Sequence, residues 1–191
     1  KGECMKSRRI THIARAFAIV AFITAMSSPI VRAQSNDSAA ISKLLSEAKS
    51  HAVQAEEHAA TLKSYTTSGL SWESHASQLN AMRLHINDLG RVAKELNDAR
   101  SEGSPWQQVA IDRINPLLRE MADQLTVTIK HLDAHKDQIS MQQYRDYTAA
   151  NYELSNRTAA MISDLVEYGK AKSKAESLER KLELPNSHAG S

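Results

Sequence analysis

Cysteine is nearly absent from this chain. Of its 191 residues only Cys4 is one, so residues 34–191 have no disulfide, no thiolate metal site, no cysteine nucleophile and no c-type haem attachment. Glycine and proline are also scarce, at 6 and 4. No glycine-rich phosphate loop, no G-x-S-x-G turn and no His-Glu-x-x-His pair occurs, and the serines fall on helix surfaces or caps. Glu-x-x-His is missing too, and with it the ligand pattern of di-iron helical bundles. Bundle cytochromes that bind haem between histidine and methionine need both at one place. Met82, Met121 and Met161 instead lie away from the histidine-rich end. No catalytic motif remains, and the expected role is non-catalytic.

The longest apolar run, Ala16 to Met26, is too short to span a bilayer comfortably. It follows Lys6, Arg8, Arg9 and Arg15 and precedes Pro29 and Val31-Arg32-Ala33. A signal peptide is therefore expected over residues 1–33, translation starting at Met5 and cleavage falling before Gln34. Thr11 and His12 stand where a twin-arginine signal has apolar residues, which favours the general secretory route. The expected location is periplasmic or secreted. Residues 1–33 carry six of the 24 Lys/Arg and one of the 22 Asp/Glu. The remainder keeps 18 basic and 21 acidic residues, net −3, and the basic footprint of a nucleic-acid binder is gone.

What is present is helix. Hydrophobic residues make up 41% and charged residues 24%, a balance that allows a packed core. Four segments place apolar residues at alternating spacings of three and four, the seam of helices packed in coiled-coil fashion. The first runs over about 38–65 with Ile41, Leu44, Ala48, His51, Ala55, His58, Leu62 and Tyr65. The second, about 71–100, has Trp72, His75, Leu79, Met82, Ile86, Leu89, Ala93 and Leu96. Ser104, Pro105 and Gln107 mark the start of the third, about 105–135, with Ile111, Ile114, Leu118, Met121, Leu125, Thr128, Leu132 and His135. Pro116 should kink it. The fourth covers about 141–182 from a second capping signal at Ser140 to Gln143, with Tyr144, Tyr147, Asn151, Leu154, Thr158, Met161, Leu165 and Tyr168. Gly69 suits a left-handed turn between the first two.

Short connections imply antiparallel neighbours. The expected fold is all-α: an up-down-up-down antiparallel four-helix bundle over 34–184, its fourth helix longest, with a disordered tail at 185–191. The end of the fourth helix should project and offer a surface for a protein partner or for self-association. No transmembrane helix is expected in the mature chain.

Histidine placement carries the chemistry. Folding back at the turns brings His58, His75 and His135 toward one end of the bundle, and His131 stands four residues before His135 on the same helical face. Imidazoles at i and i+4 can grip one Zn, Cu or Ni ion. His58, His75, His131 and His135 are thus candidate metal ligands. The competing reading is a polar end layer in which they pair with Tyr144, Tyr147, Asn151 or glutamates, with no cofactor at all.

Overall fold

A computed structural model of the chain describes residues 37–183. The expected signal peptide and tail lie outside that range. Four helices make up the described part: α1 (Ala39–Tyr65), α2 (Trp72–Asp98), α3 (Pro105–Ala134) and α4 (Gln142–Lys181), with one 3-10 turn at Arg100–Glu102 before α3. α1 packs on α2 and α4, and α3 packs on the same two. This is an up-down-up-down bundle, and α4, at 40 residues, is its longest helix. No helix of the described residues is long and apolar enough to cross a membrane.

Local chemistry sets the ends. Ser38 caps α1, its hydroxyl accepting the Ile41 N–H at 3.4 Å. The first turn uses Gly69 at φ 66°, a conformation open to glycine without strain. At the head of α3, Gln107 is fully buried. Its Oε1 accepts the backbone N–H of Ser104 at 3.1 Å and of Ser38 at 2.8 Å. Its Nε2 donates to the Ser38 carbonyl at 2.9 Å. One side chain thereby closes the start of its own helix and fastens the start of α1 beside it. α3 runs unbroken through Pro116, which is exposed. α4 is capped by Met141 with no side-chain hydrogen bond, so Ser140 does not form the expected capping box.

The core corrects the seam in three helices, and in α2 Val92 takes the place expected for Ala93. In α1 the buried residues are Ile41, Leu45, Ala48, Ala52, Ala55, Ala59 and Leu62. Ala52 and Ala59 take the central positions expected for His51 and His58. Both patterns alternate threes and fours, and they differ by a small rotation of the helix. Burying a methyl group is favourable, whereas burying an imidazole needs a partner for its nitrogens. The rotation therefore moves both histidines to the edge facing α2. α4 turns likewise in its second half, where Ile162 and Val166 replace Met161 and Leu165 in the core. Asn151, on the core side of α4, is satisfied by donating to Thr128 Oγ1 at 2.6 Å and to the Tyr147 carbonyl at 2.9 Å.

Candidate metal centre

The α1 rotation creates a cluster on the α1–α2 face. The antiparallel register sets His51 opposite His85, one helical turn before Asp88 on α2. His51 Nδ1 lies 3.4 Å from His85 Nδ1 and 3.7 Å from Asp88 Oδ2. One ligand atom from each of the three residues falls within 4.8 Å of the other two, and all three side chains are half-buried. Among the described residues this is the only group of three or more His, Cys, Asp or Glu so arranged. Two nitrogens on a tetrahedral zinc ion stand about 3.3–3.4 Å apart, given bonds of about 2.0–2.1 Å. The His51–His85 separation already matches that edge.

The surroundings favour neutral imidazole at His85. Burial pushes its pKa down, and the neighbouring His58 and His51 add to the shift, while Asp88 and Glu57 oppose it. A neutral ring offers a lone pair to a metal at neutral pH. His58 stacks on His85 with centroids 5.5 Å apart and planes at 12°. Its Nδ1 meets Gln78 Oε1 at 2.9 Å. The amide nitrogen of Gln78 lies 3.4 Å from the Tyr65 hydroxyl. With the amide so oriented its oxygen is an acceptor, so His58 donates to it from Nδ1.

The four histidines singled out by spacing divide between two places. His58 joins His51 and His85. His75 and His131 flank Tyr144 at the end of the bundle, and His135 sits beside His131. His75 is 1% exposed and its Nδ1 lies 3.2 Å from the Tyr144 hydroxyl. The Tyr65 ring meets His75 edge-on at 5.7 Å. His131 stacks on the opposite side of the neighbourhood, 6.0 Å from the Tyr144 ring and 5.0 Å from Tyr147. Its ring lies 4.8 Å from that of His135, which caps α3 in an exposed position. Burial pushes the pKa of His75 and His131 down, with His135 adding to the latter. Burial also pushes the Tyr144 phenol up. No three of these four histidines bring ligand atoms within 4.8 Å of one another.

Sequence reasoning passed over His51, His85 and Asp88 as ligands. The signal was available: the register that sets His58 opposite Gln78 also sets His51 opposite His85, and His85 and Asp88 are an i, i+3 pair. No family model, no curated protein and no solved structure matches the chain.

Proposed function

We propose that this protein is a non-catalytic, exported binding protein whose bundle captures a divalent transition-metal ion through His51, His85 and Asp88. One observation carries the reading: three donors from two helices converge within 4.8 Å, with the two imidazole nitrogens 3.4 Å apart. Imidazole with one carboxylate suits Zn²⁺, Cu²⁺ or Ni²⁺. The signal-like residues 1–33 support a place outside the cytoplasm. With α1 and α2 both contributing, a bound ion would brace one long side of the bundle.

The test uses chelator-stripped, tag-free protein melted with each of the three ions in turn. An ion that binds only the folded state at 100 times its Kd adds about 2.7 kcal/mol. For a domain of this size that is a rise of roughly 5–11 °C in Tm. With Zn²⁺, His85→Ala and Asp88→Asn should remove the rise and His75→Gln should keep it. Melting curves indifferent to all three ions would overturn the proposal.

A second reading concerns the far end of α4. Lys172 pairs with Asp37 at 3.3 Å, near where α1 begins. Beyond it, nine further residues of α4, about 13 Å of helix, outrun α1. Leu178 and Leu182 are exposed there, and Tyr168, four residues before Lys172, is exposed while packing edge-on against Trp106. These side chains supply the apolar surface for a protein contact.

A further inference from the structure

We infer that His131 and His135 form a second, separate metal grip at the end of α3, suited to Cu²⁺. Three observations converge on it. The two residues are one helical turn apart, and their ring centroids lie 4.8 Å apart with the planes tilted by 46°. An ion bound at about 2 Å by two imidazole nitrogens holds their centroids roughly 4.5–5.2 Å apart, for bond angles between about 90° and 110°. His131 Nε2 is buried and has no hydrogen-bonding partner among the described residues. A polar atom in that position needs an occupant, because burying it unsatisfied is costly. Finally, His135 is exposed at the mouth of the pair, so an ion can arrive from solvent and keep water on its remaining positions.

The surroundings exclude simpler partners. Tyr144 is turned toward His75 through its hydroxyl, at 3.2 Å. The Tyr147 hydroxyl is engaged by Gln143 at 3.3 Å. Neither tyrosine oxygen hydrogen-bonds to His131, and the nearest ring to His131 on its own helix is His135. Two imidazoles and no carboxylate make a softer, weaker donor set than His51, His85 and Asp88. Copper(II), which stands highest in affinity for nitrogen ligands among the divalent first-row ions, is the ion it would retain.

The site is independent of the α1–α2 centre, and the test separates them. Full-length protein is titrated with Cu²⁺ alone and followed by native mass spectrometry and electron paramagnetic resonance. Wild type should take two ions, His85→Ala one and His135→Ala one. The ion left in His85→Ala should show two nitrogen ligands. His135 is exposed, so its replacement spares the fold; His131→Gln serves as the second variant and should also lose one ion. If His135→Ala and His131→Gln both keep the wild-type copper count, the inference is overturned. The same holds if His85→Ala binds no copper, whatever the fate of the α1–α2 centre. A wild type that binds a single ion, lost only in His135→Ala, would uphold this inference while sinking the other.

Discussion

His75 shows how spacing can fix a residue's position while leaving two roles open, a metal ligand or a member of a polar end layer. The three-and-four spacing put it on the α2 seam, and it is buried there beside Leu79 and Met82. Its partner, Tyr144, lies 69 positions away on α4, and it is one of the residues that the polar-layer reading placed beside these histidines. Burial raises the phenol's pKa and keeps its proton on oxygen, and the hydroxyl pairs with His75 Nδ1 at 3.2 Å. Tyr144→Phe leaves that nitrogen buried and unbonded, at a cost of about 1–3 kcal/mol. His75→Leu alone strands the hydroxyl instead. Removing both members should therefore cost less than the two single changes together. Thermal or urea melts of the four proteins measure this coupling, and strictly additive losses would show that the 3.2 Å contact contributes nothing. His51 and His58 illustrate the opposite case. Their spacing fitted a seam, but Ala52 and Ala59 fit the same seam one step around the helix and need no hydrogen-bond partner. Periodicity alone does not choose between two phases so close; the cost of burying an imidazole does.

At the scale of the element, the four helices were legible because each carries its own amphipathic stripe and its own stop. α3 is the clearest, with Pro105 at its first position and Gln107 closing its start. α4 was legible in length but not in orientation, since its second half is lysine-, glutamate- and serine-rich and several faces compete for the core. There Gly169 matters through closeness: a Cβ at that position would meet the Trp106 ring at 2.9 Å. The indole in turn donates from Nε1 to Asp37 Oδ1 at 2.7 Å, and Lys172 reaches the same carboxylate and Glu176. These contacts fasten α4 to the starts of α1 and α3 as far as Glu176, and the described helix past that point has its apolar side chains, Leu178 and Leu182, exposed. A chain ending after Glu176 should keep the bundle, with a Tm within a few degrees of wild type. If the end of α4 mediates self-association, the full chain should sediment as a larger species than the shortened one at equal concentration. Equal masses would leave the exposed leucines without that role.

The whole molecule unites these scales through its histidines. The up-down-up-down architecture followed from four stripes joined by short connections, since adjacent helices have no room to run parallel. The grouping of histidines did not follow, because it depends on how far each helix is rotated, and a rotation of one residue decides whether a side chain faces the core or a neighbour. The outcome has a pH signature. His75, His85 and His131 are all held below the ordinary histidine value of 6.5, burial being the first cause for each. An unfolded chain takes up protons at these rings as pH falls through 6.5, whereas the folded chain resists, so stability must fall with pH from that point. The carboxylates Glu47, Glu73 and Glu167 are shifted down from an ordinary value of 4.5 by hydrogen bonds, led by Arg91, Ser71 and Lys170 respectively. Their stabilising share is present above 4.5 and is lost only on further acidification. Between about pH 6.5 and pH 4.5 the histidines alone should set the slope. Metal-free protein melted at half-unit steps from pH 7.5 to 4.5 should lose stability steadily through this window, and His85→Gln should make the slope shallower. A curve flat from pH 7 to 5 would mean that the folded chain protonates these rings as readily as the unfolded one. Added Zn²⁺ should steepen the fall at the same pH, because the ion and the protons compete for the same imidazole lone pairs at His51 and His85.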